Sequence, residues 1–189
     1  IRVEAEGVIS LDLRPYEEDS FPTFSAGSHI DVHLPNGIIR SYSLLNAPDE
    51  THRYVIAVLR DPASRGGSSF IHEQLSVGAE LTISLPRNNF PLHEDAEHSV
   101  LIAGGIGVTP LLSMMHRLSQ LGRSFEVMYF SRSRHRAAFI DDIEKFNVKT
   151  HWHFDDLTRV PPDLKALLAA RRHGARHHYY ACGPTTMLD

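Results

Sequence analysis

The sequence predicts two domains, an antiparallel β-barrel followed by an α/β domain on a parallel sheet. Three observations carry that prediction. From residue 8 to about residue 85, short β-like runs are separated by Pro, Gly, Asn and Asp, the spacing of a small barrel. From residue 99 onward, apolar runs alternate with stretches whose apolar residues recur at helical spacing, as in β-α-β units. Between them "PRNNFPL" (86–92) carries a proline near each end and reads as a linker. The boundary therefore falls near residue 95, giving domains 1–95 and 96–189.

In order, the barrel strands are "VISLDL" (8–13), "HIDVHL" (29–34), "IIRSYSL" (38–44), "YVIAVL" (54–59) and "LTISL" (81–85), with one helix at "SSFIHEQL" (68–75). In the second half "SVLIAGG" (99–105) is apolar throughout, as expected of a parallel strand covered on both faces. Val108, Leu111, Leu112, Met115 and Leu118 then repeat at helical spacing. Strand "FEVMYF" (125–130), helix "AAFIDDIEKF" (137–146), strand "KTHWHF" (149–154), helix "PDLKALLAA" (162–170) and strand "HHYYACG" (177–183) follow.

The 189 residues are 42% hydrophobic and 22% charged, which is ordinary globular composition and enough chain for two cores. A net charge of −4 gives no basis for a nucleic-acid or anionic-membrane partner. A single cysteine, Cys182, excludes an internal disulfide, a cysteine-based zinc site and an iron–sulfur cluster within this segment. No apolar run is long enough to span a bilayer and no signal peptide is visible, so a cytoplasmic protein is expected. Ile1 is not an initiator methionine, and "CGPTTMLD" stops where a helix should begin. The sequence reads as a piece of something longer.

Four stretches carry chemistry. "AGGIGVTP" (103–110) ends a strand in glycines and runs into a helix, so a diphosphate can approach the backbone at a helix N-terminus. Gly105 and Gly107 fit the first two positions of the dinucleotide fingerprint, but Pro110 stands where the third glycine belongs. The ribose-binding acid expected after the next strand is also missing. Ser131 and Arg132 stand there, with Arg134 close behind, and they suit an adenosine ribose or a 2′-phosphate. The bland alternative is a glycine turn that packs helix on strand.

"RGGSSF" (65–70) offers Gly66, Gly67, Ser68 and Ser69 as a second anion cradle, although Ser68 also reads as a plain N-cap. "RSYS" (40–43) breaks the alternation of a core strand by placing a cation, a ring and two hydroxyls together; arginine pairs well with phosphate oxygens. "YYACGP" (179–184) puts Cys182, Gly183 and Pro184 at the carboxyl end of a parallel strand, where open α/β sheets bind ligands. A lone cysteine is more commonly a small buried hydrophobe. Thirteen histidines invite a metal reading, but "HWH" (151–153) lacks a partner motif and "HEQLS" (72–76) has serine in place of the second zinc histidine. No metal site is expected.

Taken in order, R-x-Y-S, G-G-S-S, G-G-I-G-V-T-P and C-G-P resemble the ferredoxin–NADP reductase superfamily. Within it the chain is similar to the FMN-dependent reductases of Rieske-type oxygenases, of the phthalate dioxygenase reductase and vanillate demethylase reductase type. The resemblance implies an FMN-binding barrel and an NAD-binding α/β domain. It implies that Arg40 and Ser41 contact the flavin phosphate region and that Gly66, Gly67, Ser68 and Ser69 close around the phosphate. Tyr42 would lie by the ring, Ser43 within reach of flavin N5, and Ala57, Val58 and Leu59 would present backbone to the ring's polar edge. Thr109 would stand between flavin and nicotinamide, Gly105 and Gly107 would approach the dinucleotide, and Cys182, Gly183 and Pro184 would border the nicotinamide. Ser43 and Cys182 are thus the candidate catalytic residues.

The implied reaction is hydride transfer from NADH to FMN, then release of single electrons through a 2Fe-2S centre outside this segment to a terminal oxygenase. Two alternatives are an FAD-dependent reductase on the same scaffold and a flavin-binding electron-transfer or regulatory subunit without NADH turnover of its own.

Overall fold

The computed structural model describes residues 1–16, 19–158, 163–169 and 176–188. The first half holds β1 (Arg2–Ala5), β2 (Val8–Leu13), β3 (His29–His33), β4 (Ile39–Ser43), β5 (Tyr54–Leu59), α1 (Gly67–Glu73) and β6 (Thr82–Ile83). They form two antiparallel three-stranded sheets, ordered β1-β2-β5 and β4-β3-β6. Alternation sets the inner face: Ile30 and Val32 of β3 are fully buried while Asp31 and His33 point outward. Leu11, Leu44, Tyr54, Ile56, Val58 and, from α1, Ile71 complete this core.

The second half holds β7 (His98–Gly104), α2 (Val108–Gln120), β8 (Ser124–Ser131), α3 (Ile140–Glu144), β9 (Thr150–Phe154), α4 (Asp155–Thr158), α5 (Leu164–Ala169), β10 (His177–Cys182) and α6 (Thr185–Leu188). Its four strands are parallel, in the order β10-β7-β8-β9. The chain winds outward from β7 to β9 and then returns to β10 on the other side of β7. The carboxyl ends of β7 and β10 therefore flank the switch point, the ligand-binding crevice of such sheets.

The halves do not keep separate cores. Val8, Ala26, Leu45 and Ala57 of the barrel share one apolar cluster with Val108, Leu111, Leu112 and Met115 of α2. Burial of this shared face, rather than the exposed ion pairs Arg117–Glu94 and Arg136–Glu6, is what holds the halves together, since exposed pairs are worth about 1 kcal/mol or less.

Several expectations need correction. β1 is a separate strand, turned into β2 through Gly7 at φ 73°. The strand expected at 81–85 shortens to β6 because Ser84 bonds Asp31 on both sides, its N–H to the Asp31 carbonyl and its Oγ from the Asp31 N–H. The helix expected over 137–146 contracts to α3, because Phe139 sits in the left-handed region at φ 64° with its side chain in the core. The expected helix 162–170 is α5, and the ends of that prediction, Pro162 and Ala170, lie outside the described residues. Ser68 is not an N-cap. α1 begins one residue before it, the cap position is Gly66 at φ 95°, and Ser68 Oγ accepts the Asp61 N–H at 3.2 Å.

Candidate functional site

Two groups of residues predicted as a site come together around one strand, β5, which contacts β4 and α1 on the one hand and the Gly105–Gly107 turn on the other. Beside β4 and α1 lies an open recess of about 250 Å³ lined by Arg40, Tyr42, Asp61, Ser64, Arg65 and Ser68. Arg40 and Tyr42 reach it because both share the face of β4 that pairs across from Ile30 and Val32. Gly66 turns the chain in the left-handed region, and Gly67 lets Arg40 pass: a Cβ there would stand 3.0 Å from the Arg40 side chain. Arg40 donates to the Ile39 carbonyl at 2.8 Å. Among the described residues, Arg40 and Arg65 have no carboxylate partner. Two uncompensated cations beside a glycine cradle suit an anion. Burial raises the Tyr42 phenol above its usual pKa, against a smaller opposite effect of Arg40, so the ring meets a ligand in its neutral form.

Ser41 does not face this recess. Its hydroxyl donates to Asp31 at 2.6 Å on the outer face, where Asp31 also pairs with Arg87. Together these hold the Asp31 carboxyl below its usual pKa, the Ser41 hydrogen bond first. Ser43 lies on that same outer face, across from His29 at the last position of β4. Ser69 follows Ser68 in the first turn of α1.

The backbone of β5 has its own polarity. Val55 turns both its N–H and its carbonyl away from β2, to Asn46 and Leu45, and the Arg60 N–H turns toward Gly7. Alternation then aims the N–H and carbonyl of Ala57 and Leu59 out of the sheet, on the β4 side. β4 belongs to the other sheet, so its ladder does not reach them. Val58 sits in the opposite phase, and its carbonyl meets His72 Nε2 of α1 at 2.9 Å. Unpaired strand-edge amides next to a cationic recess fit a planar, hydrogen-bonding ligand with an anionic tail.

β5 also packs against the 3₁₀ turn Gly105–Gly107 that joins β7 to α2. The glycines of this turn differ in kind. A Cβ on Gly107 would overlap the Cys182 carbonyl, and one on Gly104 would stand 2.8 Å from Pro184. These two glycines let β7, α2 and the end of β10 close together. Gly105, at φ 53°, has open space where its Cβ would be. It leaves bare backbone at the switch point. Thr109 and Pro110 are buried in the first turn of α2, with Thr109 Oγ1 donating to the Ile106 carbonyl at 3.0 Å. Cys182 is half-buried and burial pushes its thiol pKa up, so it is a poor nucleophile there. Ser131 is buried at the end of β8, and the Arg132 carbonyl accepts the Asp156 N–H at 3.0 Å. Among the described residues no group of three or more His, Cys, Asp or Glu could hold a metal ion.

Sequence reasoning missed Asp61, Ser64 and Arg65 as recess walls, and it missed Asp31 and His72 as supports. The only available signal was their closeness to "RGGSS"; the supports depend on cross-strand register.

No family model matches the chain. Over 185 residues it is 48% identical to the phenoxybenzoate dioxygenase subunit beta of Ectopseudomonas oleovorans, covering 98% of this chain and 57% of that protein. It is equally 48% identical to a vanillate O-demethylase oxidoreductase of Pseudomonas putida, covering 96% of this chain and 57% of the relative. The chain thus spans a little over half the length of these curated relatives. The solved structure of phthalate dioxygenase reductase, described as modular for electron transfer from pyridine nucleotides to [2Fe-2S], superimposes with a TM-score of 0.92 at 36% identity, over 99% of this chain and 59% of that one. By sequence the chain is similar to reductase components of oxygenase systems, and it has the fold of the ferredoxin reductase-like proteins.

Proposed function

We propose that this chain is the flavin- and nucleotide-binding part of a cytoplasmic NADH-dependent reductase. In this reading FMN seats in the barrel and NADH on the parallel sheet. Electrons leave singly through an iron–sulfur centre to a terminal Rieske-type oxygenase or demethylase. The observation that carries the reading is that β5 contacts β4 and α1, which flank the cationic recess, and also the Gly105–Gly107 turn. One strand then serves both ligands, so their reacting rings can meet.

A bound flavin supplies the chemistry of taking two electrons as a hydride and giving them up one at a time. The chain's residues bind and orient. Arg40 and Arg65 neutralise the phosphate, while Gly66, Gly67, Ser68 and Ser69 give it backbone and hydroxyl donors. Tyr42 flanks the ring, Ala57 and Leu59 bond its polar edge, and Ser43 offers a hydroxyl at the end of β4. Gly105 admits the dinucleotide diphosphate to the α2 N-terminus. Thr109, Cys182, Gly183 and Pro184 border the nicotinamide. Arg136, already paired with Glu6, is not available to an extra 2′-phosphate, which favours NADH.

Purified protein should carry a yellow chromophore that NADH bleaches under argon, and chromatography of the released cofactor should give FMN. A colourless protein, or a flavin that NADH leaves oxidised, would overturn the reading. Release of FAD would replace the cofactor and keep the rest.

A further inference from the structure

The halves meet through several polar ties, and the hydrogen bond between Gly27 and Ser113 is wholly buried. Arg117–Glu94, Arg136–Glu6 and the Gln120–Asp49 hydrogen bond lie at the surface. The buried tie joins residues 86 positions apart: the Gly27 N–H donates to Ser113 Oγ of α2 at 3.0 Å. The Ser113 hydroxyl in turn donates to the Pro110 carbonyl at 2.9 Å. Its one proton is thus committed inward, to the first turn of α2, while its lone pair takes the barrel's amide. Ser113 is fully buried.

Gly27 is built for this contact. At φ 93° its missing Cβ leaves the space that the Phe90 carbonyl of the linker fills, with Met114 of α2 at 3.1 Å. Barrel, linker and α2 converge on one glycine. Asn88 fixes the same linker to the Ala26 carbonyl at 2.9 Å. Surface ties tolerate rearrangement and are screened by salt; a buried amide left without an acceptor is costly.

We propose that Ser113 is a positioning residue for hydride transfer. Through Gly27 and Pro110, it fixes the first turn of α2, with Thr109 and the Gly105–Gly107 turn, against the flavin barrel. The inference rests on the proposed reductase reading. Its consequence is specific, because reacting atoms must be held about 3–3.5 Å apart and a shift of about 1 Å costs about a hundredfold in rate. Loss of the tie should alter how the two bound rings meet, and leave each ligand's own binding residues in place.

The test uses flavin-loaded protein in three variants. Ser113→Ala should release the Gly27 amide to fast hydrogen exchange and lower the limiting rate of flavin bleaching by about ten- to a hundredfold. The half-saturating NADH concentration and the flavin affinity should stay within about threefold of the parent, as expected of an interaction that acts on the transition state. Ser113→Thr, which keeps the hydroxyl, should restore both amide protection and rate. Glu94→Gln, which breaks the exposed Arg117 tie between the same halves, should change neither. If the alanine variant fails to fold, Ser113→Cys keeps the volume with a weaker acceptor and carries the same test. A Ser113→Ala protein with an exposed Gly27 amide and an unchanged limiting rate overturns the proposal. So does a slow Ser113→Thr protein whose Gly27 amide is still protected. If the parent protein is not bleached by NADH at all, it is the reductase reading that fails, and the Gly27 exchange still reports whether the tie exists.

Discussion

Arg40, like Arg65 beside it in the recess, stands out by what it lacks. Arg2, Arg14, Arg53, Arg60 and Arg87 of the barrel each pair with a carboxylate, whereas Arg40 lies half-buried across Gly67 without one. A half-buried cation is costly unless something anionic completes it, and the proposed flavin phosphate does so. Three positions on, Ser43 poses the sharper question. It closes β4 on the face opposite Tyr42, and none of the described residues bonds its hydroxyl. In the proposed reading this hydroxyl, at the end of the strand, serves the ring atom that gains the hydride. Replacement by alanine should slow flavin reduction by about tenfold, the worth of one hydrogen bond formed mainly in the transition state, with flavin affinity nearly unchanged. Stopped-flow bleaching under argon reads the rate directly, and an unaltered rate would remove Ser43 from the chemistry.

Among elements, the turn between β7 and α2 shows how much one motif conceals. "GGIGVTP" announces a strand-to-helix turn that a ligand approaches, and the sequence treats Gly105 and Gly107 alike. The fold divides them: Gly107 admits the Cys182 carbonyl, while Gly105 faces open space. Alanine at 107 should therefore cost about 1–3 kcal/mol through overpacking and lower the unfolding temperature. Alanine at 105 should spare most of the stability, losing about 1–2 kcal/mol for a left-handed residue, and weaken NADH binding. Paired thermal melts and NADH titrations separate the two, and equal effects from both would contradict the division. The same contrast explains what the sequence made legible. β2 and β5 were readable to the residue because their apolar runs are local and bounded by turn residues, and the order of the second half followed from its period changes. β1 was hidden by its charged residues, and α3 was shortened by a left-handed Phe139 held by the core. Gly27, Ser113, Asp31 and His72 take their roles from partners 10 to 86 residues away, which no local pattern encodes.

Across the whole molecule, the shared core carries a titration. His116 projects from α2 against Phe146, with ring centroids 5.1 Å apart. Burial holds its pKa below the usual 6.5, against the pull of Glu50, Asp142 and Asp49 and together with the push of Arg53. Burial also lowers His98 of β7, whose ring meets Ser124 Oγ at 2.8 Å. In both cases the fold favours neutral imidazole, so the unfolded chain binds more protons in this range. The stability involved is fully present above about pH 6.5 and is lost as the pH falls through that value toward the depressed folded pKa. Asp31, also lowered, acts in a separate window below its usual 3.8. Thermal unfolding should accordingly be flat from pH 8 to 7 and decline from about 6.5 downward, well before carboxylates protonate. His116→Gln should shallow that decline while leaving the acid collapse near pH 3 in place. Because α2 is the helix that Ser113 ties to the barrel, protonating His116 should loosen the junction first, and amide exchange along α2 should quicken at pH 5.5 in the parent but not in the glutamine variant. Identical slopes for the two proteins between pH 7 and 5 would show that the charge on His116 is not what the shared core excludes.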